Sequence, residues 1–387
     1  MNNERTFFIC RNCLKENHLK AYCRKKGDIR SSCIICKNEE IGIKIDNSNK
    51  KEISNLFKSC LRFNYSEIEY NPALDNSYLN AFFQSENKLL NHQFKNPEEF
   101  NELISLLFRA EEEDIKIFYG KFPHNGEEYV GQFFHPLKNE SSEIWISLKR
   151  RLKKENYYAI KPDLIIPLRK IVDKTKIKIN KDRVFFRARI GNDKLKESEY
   201  SYSEKPIPFQ GSKISAPPPL NSTAGRLNRE GVSYLYLSSR LDTAISEIRP
   251  NPGDIVSVGK FSLLKSINLI DLRKVNLLKF INSQEEIELF SFALQLSKEF
   301  MKPKTDTNTY QYLITQFVAE SFREIGQDGI IFNSAVSNGF NITVFNPNLF
   351  EFVPESSTMH RVKKVSFKST KIEFKKDEFG FYVENEI

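Results

Sequence analysis

Two arginines in the second half of the chain are spaced as an anion-binding pair would be. Arg187 and Arg189 stand two positions apart in the segment FRAR, which starts at Phe186. Side chains alternate along a β-strand, so the two guanidinium groups would share one face if this segment is a strand. The planar guanidinium fork matches the oxygen atoms of a phosphate or carboxylate, so the pair favours an anionic ligand.

A glycine-bounded polar loop leads into an apolar segment at residues 225–238 (GRLNREGVSYLYLS). This order predicts a loop that presents Arg226 and Asn228, because polar residues between glycines are typical of surface loops. The apolar residues that follow predict a strand. Tyr236 lies within that strand, where its ring could contact the aromatic part of a ligand.

A carboxylate comes next, on a predicted helix. Residues 243–249 (TAISEIR) belong to a helix predicted to begin at Ser239, with Ser239 and Asp242 in capping-box spacing. Glu247 would then lie about two turns into the helix, close to its buried side. A carboxylate can stabilise the oxocarbenium-like transition state that forms when a glycosidic bond breaks. Together with arginines and a tyrosine, it suits cleavage of a dinucleotide.

Five of the six cysteines lie within 27 residues near the N-terminus. Four of them form two CxxC pairs separated by 19 residues, Cys10 with Cys13 and Cys33 with Cys36. This spacing predicts a tetrahedral zinc site made of four thiolates. Four protein ligands leave no position for water, so the zinc would be structural and separable from chemistry elsewhere in the chain. Cys23 and His18 stand between the pairs, and either could replace one ligand.

The composition excludes several classes of protein. The 387 residues are 40% hydrophobic and 12% aromatic, with 15 glycines and 16 prolines, which argues against a disordered or collagen-like chain. The sequence has no apolar run of about 20 residues and no signal-peptide pattern, so we expect a soluble, cytoplasmic protein without a membrane partner. The net charge is +9. Basic runs at residues 149–154 and 361–376 favour a solvated surface and leave nucleic acid open as a partner.

The hydrophobic pattern changes along the chain from helical to strand-forming. Residues 97–108 carry apolar side chains at helical spacing, and another helix is predicted from residue 141. Beyond Pro162 and Pro167 the helical pattern ends, and short strands are predicted at residues 184–189, 232–237, 254–263, 329–332 and 341–345. Two more helices are predicted among them, at residues 283–300, with a capping box at Ser283, and 308–325. Because strands and helices alternate irregularly, mixed α+β is the expected fold class.

Five motifs in this order resemble the RES domain family, which supplies the toxins of RES-Xre toxin–antitoxin pairs. They are FRAR, GRLNREGVSYLYLSS, TAISEIR, YLITQFVAE, and DGIIFNS followed by GFN. The resemblance covers residues 180–350. It implies an ADP-ribosyltransferase-like domain, with a split β-sheet around an NAD cleft, preceded by a small zinc module and a mostly helical region.

The resemblance also implies roles for individual residues. Catalytic roles fall on Arg187, Tyr236, Glu247 and Ser334. Substrate-binding roles fall on Arg189, Arg226, Asn228, Tyr234 and Asn341. Arg189 is also the alternative to Arg187, and Tyr234 the alternative to Tyr236. The implied reaction is cleavage of the nicotinamide–ribose bond of NAD+ by water or phosphate, which depletes cellular NAD; transfer of ADP-ribose to a protein target is the alternative.

We predict four regions along the chain: a zinc module (1–45), a mostly helical region (50–172), a RES catalytic domain (175–355) and a basic extension (356–387). The first two resemble the HEPN-like region that accompanies some RES domains. Ribonucleases of the HEPN class pair an arginine with a histidine a few residues later. Only Arg11 and His18 meet that spacing, inside the zinc module, so we expect this region to sense or dock a partner.

The expected partners are NAD+ and an antitoxin or sensor protein, and a homo-oligomer is left open. The competing functional class is a non-enzymatic, zinc-containing protein that binds nucleic acid through its basic runs and aromatic residues. Release of nicotinamide from NAD+ by the pure protein distinguishes the two classes.

Overall fold

The computed structural model describes residues 6–65, 88–91, 97–108, 136–138, 142–196, 204–302, 310–366, 369, 371–376 and 382–386. These residues contain eight α-helices and sixteen β-strands, so the predicted class, mixed α+β, is confirmed. The chain forms two compact units, each made of three separate segments. The first unit comprises Met1–Ile179, Pro219–Val232 and Ile267–Ala335, and the second comprises Asn180–Pro218, Ser233–Ser266 and Val336–Ile387.

The first unit contains seven of the helices in the described residues. They are α1 (Asn17–Lys26), α2 (Lys50–Asn64), α3 (Pro97–Phe108), α4 (Glu143–Arg151), α5 (Tyr157–Thr175), α7 (Gln284–Met301) and α8 (Tyr310–Glu324). Its strands are β1 (Phe7–Cys10), β2 (Ile29–Ser32), β3 (Glu39–Ile45), β4 (Lys176–Ile179), β10 (Ile267–Asp271) and β11 (Gly329–Asn333). Strand β3 lies between β1 and β2 and is antiparallel to both. Strand β10 is antiparallel to β4 and parallel to β11, so this pairing is mixed.

Aromatic contacts tie the N-terminal helices of the first unit to helices far along the chain. Trp145 of α4 packs against Phe292 of α7, with ring centroids 6.4 Å apart. Phe63 of α2 packs against Phe290 of α7, at 5.6 Å. All ten residues of α2 from Ile53 to Arg62 are buried, which places this helix inside the unit. The predicted zinc module and helical region therefore share one core with part of the predicted RES region.

Helix α5 passes through Pro162 and Pro167, the two prolines after which the sequence pattern changes from helical to strand-forming. It runs from Tyr157 to Thr175 and contains both prolines. A proline inside a helix removes one backbone hydrogen bond and crowds the carbonyl four residues earlier. Burial of one helix face offsets this cost, through Ile160, Leu164, Leu168, Ile171 and Val172.

The second unit contains one helix in the described residues, α6 (Leu241–Glu247), and the remaining strands. These are β5 (Val184–Ile190), β6 (Asp193–Lys196), β7 (Glu204–Ile207), β8 (Leu235–Ser238), β9 (Ile255–Leu263), β12 (Phe340–Val344), β13 (Phe350–Phe352), β14 (Thr358–Arg361), β15 (Ile372–Lys376) and β16 (Tyr382–Glu386). The pairing order β13-β9-β5-β8-β12 is antiparallel throughout, and β14 also pairs with β9. Strands β6 and β7 form a hairpin, as do β15 and β16.

Helix α6 packs on one face of this sheet. Ala244 forms a buried cluster with Ala188, Val256 and Val258, which come from β5 and β9. The helix begins at Leu241 without a side-chain cap, so the capping box predicted at Ser239 is wrong. By contrast, the cap predicted at Ser283 is observed, because its hydroxyl accepts a hydrogen bond from the Glu286 N–H at 3.3 Å. The Glu286 carboxylate accepts from the Asn282 N–H at 3.2 Å, one residue before the donor that a capping box uses.

None of the helices in the described residues is long and apolar enough to cross a membrane.

Candidate functional site

Glu247 is the last residue of α6 and receives a hydrogen bond from a neighbouring strand. The side-chain amide of Asn341, in β12, donates to Glu247 Oε1 at 2.7 Å. A carboxylate at the C-terminal end of a helix faces the negative end of the helix dipole. The amide donor offsets this unfavourable placement, so Asn341 helps to fix the position of the negative charge.

The chain just before Asn341 is tied closely to the corner between β8 and α6. The Ser239 hydroxyl accepts a hydrogen bond from the Phe340 N–H at 2.9 Å, and the Ser239 N–H donates to the Phe340 carbonyl at 2.9 Å. Gly339 allows this approach, because a Cβ atom there would lie 2.9 Å from Ser239 Oγ and 3.0 Å from Thr243 Cβ. A larger residue at this position would therefore require the side chains of Ser239 and Thr243 to shift.

Arg187 lies where two strands diverge. In the described residues β5 and β8 are paired at one position, Phe186 with Ser238. Next to that pair, Arg187 Nη1 donates to the Tyr236 carbonyl at 3.0 Å, and Nε donates to the Ile214 carbonyl at 2.9 Å. Both acceptors are neutral, so these hydrogen bonds hold the guanidinium in place without neutralising its charge.

A second cation stands beside Arg187. Burial lowers the pKa of the Arg187 guanidinium to about 10, and the charge of Arg189 adds to this lowering, yet Arg187 stays protonated at neutral pH. Arg189 donates to the Lys213 carbonyl at 2.6 Å and lies over the ring of Phe209. Neither arginine forms an ion pair with a carboxylate in the described part of the chain. The pair therefore offers uncompensated positive charge to an anion.

The two candidate tyrosines differ in exposure. Tyr234 is 2% exposed and packs against Phe345, with ring centroids 5.0 Å apart. Tyr236 is half-buried and precedes Ser238 by two residues in β8. Because Ser238 pairs directly with Asn341, strand alternation places Tyr236 on the sheet face that carries Asn341. This arrangement favours Tyr236 as the ring that a ligand can reach.

Three other predicted site residues, Arg226, Asn228 and Ser334, belong to the first unit. Helix α8 holds the loop of Arg226: Thr315 Oγ1 donates to the Arg226 carbonyl at 2.6 Å, and Gln316 Nε2 donates to the Gly225 carbonyl at 2.7 Å. The Arg226 guanidinium donates to the carbonyl of Phe300 in α7. The same loop is thus anchored through both its backbone and its arginine.

Asn228 is 3% exposed and shapes this loop from within. Its amide nitrogen donates to the carbonyls of Thr223, Arg229 and Val232 at 2.9–3.1 Å. Ser334 is 8% exposed and directly follows β11.

Four thiols converge in the first unit, those of Cys10, Cys13, Cys33 and Cys36, with all Sγ atoms within 4.8 Å of one another. The Sγ atoms of Cys10 and Cys36 are 3.7 Å apart. Two sulfurs bound tetrahedrally at about 2.3 Å from zinc would be about 3.8 Å apart, so the group fits a zinc ion. Gly42 makes room for the first pair, since a Cβ atom there would lie 2.6 Å from Cys10 Cα.

Cys33 accepts several hydrogen bonds within this group. A hydrogen bond from the Cys13 thiol, aided by backbone N–H groups, lowers the pKa of Cys33 to about 4. The N–H groups of Cys10 and Ile35 lie 3.3 and 3.4 Å from Cys33 Sγ. Burial raises the pKa of Cys10 to about 11. A thiolate surrounded by N–H donors and further thiols suits a divalent cation.

The two alternative ligands lie outside the four-thiol group. Cys23 is not part of it, and His18 belongs instead to a group with Glu16 and Cys60. Glu16 caps α1 by accepting from the N–H groups of His18 and Leu19, and His18 Nδ1 lies 2.8 Å from Glu16 Oε1. Burial acts to raise the pKa of Glu16, but the hydrogen bond and charge of His18 outweigh it and hold that pKa below its usual value. Helix capping accounts for this second group.

Sequence reasoning missed Ser238 and Gly339. Ser238 is a polar residue at the end of the apolar strand LYLS and is 5% exposed. A buried hydroxyl requires a hydrogen-bond partner, and that requirement was the signal available in the sequence. Gly339 stands in the motif GFN, but the sequence did not indicate its role, because the close approach it permits depends on Thr243, which is nearly a hundred residues away.

Comparison with known proteins identifies one domain. Residues 196–364 match the family model described as the RES domain. The matched range contains Arg226, Tyr236, Glu247, Ser334 and Asn341 and begins after Arg187 and Arg189. No curated protein matches the chain. Among solved structures, the crystal structure of the M. tuberculosis MbcT-MbcA toxin-antitoxin complex is similar at 10% identity and a TM-score of 0.30, over 51% of this chain and 92% of that chain.

Proposed function

We propose that this protein cleaves the bond between nicotinamide and ribose in NAD+, as a glycohydrolase or phosphorylase. The observation that supports this best is the carboxylate of Glu247, which lies 2.7 Å from the Asn341 amide within the range matched by the RES model. Positive charge develops on the ribose as its glycosidic bond breaks. A carboxylate fixed before the reaction stabilises that charge without having to reorganise.

The arginines supply what the diphosphate of NAD+ requires. Arg187 is held by two neutral carbonyls and keeps its charge, with Arg189 beside it. Guanidinium groups bind phosphate oxygens by charge-assisted hydrogen bonds. Tyr236 offers a half-buried ring on the sheet face of Asn341, suitable for stacking against a base. The substrate contacts of Arg226, Asn228 and Ser334 stay predictions from the sequence.

An ADP-ribosyltransferase-like fold is part of this proposal. In such a fold the sheet splits, and the opened strands accommodate the dinucleotide. The divergence of β5 and β8 beyond the Phe186–Ser238 pair supports this assignment. There the Arg187 side chain donates to the Tyr236 carbonyl, an acceptor that a backbone N–H would use if the two strands stayed paired.

We further propose that NAD loss makes the protein a toxin or defence effector in the cytoplasm, where an antitoxin restrains it. The RES match supports this role. In the zinc module, Cys10, Cys13, Cys33 and Cys36 would hold Zn²⁺, which would supply structural cross-linking and no reaction step.

Nicotinamide release from NAD+ by the full-length protein tests the reaction. We expect Glu247→Gln to lower kcat by about 10³-fold or more, since it keeps the size of the side chain and removes its charge. Glu351→Gln, an exposed glutamate in β13, is the matched control and should keep wild-type activity. A wild-type protein that releases no nicotinamide, or a folded Glu247→Gln variant with full activity, would overturn the proposal.

The products identify the acceptor. ADP-ribose indicates water, and ADP-ribose 1-phosphate that forms only in phosphate buffer indicates phosphorolysis. Radiolabel transferred from NAD+ to protein would instead establish the alternative, ADP-ribosyl transfer to a protein target.

A further inference from the structure

We propose that Ser238 is a positioning residue for catalysis, acting on Glu247 through Asn341. This inference rests on the proposed function, because it assigns Ser238 a part in the reaction of Glu247. Ser238 Oγ donates to Asn341 Oδ1 at 2.8 Å, and Asn341 Nδ2 donates to Glu247 Oε1 at 2.7 Å. The three side chains thus form one directed chain of hydrogen bonds.

The strand register makes this contact specific. Ser238 and Asn341 are direct partners in the antiparallel ladder of β8 and β12, so their side chains project from the same face at the closest cross-strand distance. Ser238 is 5% exposed and Asn341 is 7% exposed, so water competes little for either side chain. The donor and acceptor are therefore held by the sheet and do not depend on a mobile loop.

The chemistry of the groups sets the direction of the chain. An ionised carboxylate accepts hydrogen bonds only, so the NH2 end of the Asn341 amide must face Glu247. The oxygen end then faces Ser238, whose hydroxyl can donate. A flipped amide would turn its oxygen toward the carboxylate and bring two acceptors together. With the Ser238 hydroxyl present, both ends of the Asn341 amide form hydrogen bonds only in the orientation that donates to Glu247.

Without the hydroxyl, Asn341 loses one of its two anchors. The terminal torsion of asparagine is broad, so without the Ser238 hydroxyl the amide can rotate away from the orientation in which it donates to Glu247 Oε1. Catalysis by a preorganised charge is sensitive to such displacement. We therefore expect Ser238 to affect the chemical step more than substrate binding.

The test compares two buried serines of the second unit. Ser238→Ala should lower kcat for nicotinamide release about tenfold and leave KM within about twofold. The control is Ser257→Ala in β9, where the serine is 0% exposed and its hydroxyl, among the residues that the structure describes, bonds the backbone of Gly191 and Phe209. This control should lose similar thermal stability and keep its kcat. Ser238→Cys, nearly isosteric and a weak donor, gives the same comparison if the alanine variant is unstable.

A double-mutant cycle then separates positioning from general destabilisation. If Ser238 acts through Asn341, adding Ser238→Ala to Asn341→Ala should leave kcat unchanged from that of Asn341→Ala alone. Additive losses, or a Ser238→Ala protein as active as Ser257→Ala, would overturn the inference. Failure of the proposed function is a different result, because then the wild-type protein itself releases no nicotinamide.

Discussion

The ring of Tyr157 packs edge-on against the ring of Phe317, with centroids 4.1 Å apart, and its hydroxyl donates to the Leu313 carbonyl at 3.1 Å. Tyr157 begins α5 and Phe317 lies in α8, inside the range matched by the RES model. Helix α5 therefore covers apolar surface of α8. A chain that starts near residue 175 would lose α5 and expose Phe317, so we expect it to be less stable than the full-length protein.

Tyr157→Ala should lower the free energy of unfolding by about 3 kcal/mol, because it leaves a cavity beside Phe317 and removes a hydrogen bond. Urea denaturation followed by tryptophan fluorescence measures this change. Tyr158→Ala is the matched control: Tyr158 is the next residue and is 82% exposed, so its loss should change stability by less than about 0.5 kcal/mol. Equal effects of the two substitutions would contradict the packing described for α5.

Local patterns in the sequence predicted the elements of the fold well and their association poorly. The strand predicted at 184–189 is observed as Val184–Ile190, and the helix predicted at 283–300 as Gln284–Met301, because alternation and capping are local signals. The two prolines of α5 are tolerated inside the helix, because packing of its buried face outweighs the local cost of proline. The assembly of each unit from three separate segments could not be predicted, because contacts such as Phe63 with Phe290 produce no periodic pattern in a single sequence.

For the candidate site as well, the sequence indicated individual residues better than the contacts between them. Residue types and spacing indicated Arg187, Tyr236 and Glu247, whose chemistry stands out individually. They did not indicate that Asn341 binds Glu247, because that pair depends on the register of β8 and β12. Sequence spacing also left Cys23 and His18 open as zinc ligands, whereas the position of the thiols excludes both from the four-cysteine group.

The proposed zinc site leads us to expect a difference among the cysteines. Cys33→Ser should lower bound zinc from about one ion per chain to well below half and reduce the melting temperature, because it removes one of the four thiol ligands of the group. Cys23→Ser is the matched control, since Cys23 is equally buried but lies outside the group. Elemental analysis of purified protein measures the zinc. A metal-free wild-type protein, or loss of zinc in Cys23→Ser, would be incompatible with this assignment.

Arg187→Lys should lower kcat/KM for NAD+ although it keeps the positive charge. A lysine ammonium cannot reproduce the planar fork that bonds the Ile214 and Tyr236 carbonyls together. We expect kcat/KM to fall about tenfold or more, a loss of about 1.4 kcal/mol in transition-state stabilisation. Arg183→Lys, at an exposed position just before β5, should leave kcat/KM unchanged. Steady-state kinetics of nicotinamide release distinguishes the two variants, and a fully active Arg187→Lys protein would remove Arg187 from the proposed site.

Gly339→Ala should damage both stability and activity, and a second substitution should partly repair them. The added methyl group would overlap the side chain of Thr243, so the loop before Asn341 must shift, at a cost of about 2 kcal/mol. Thr243→Ala removes the overlapping hydroxyl, and the double variant should be more stable than Gly339→Ala alone. Because Asn341 follows Gly339 by two residues, nicotinamide release should fall in the single variant and recover in part in the double variant. Thermal unfolding and kinetics of the three variants test this. A Gly339→Ala protein with the stability and the nicotinamide release of the wild type would show that the loop does not set the position of Asn341.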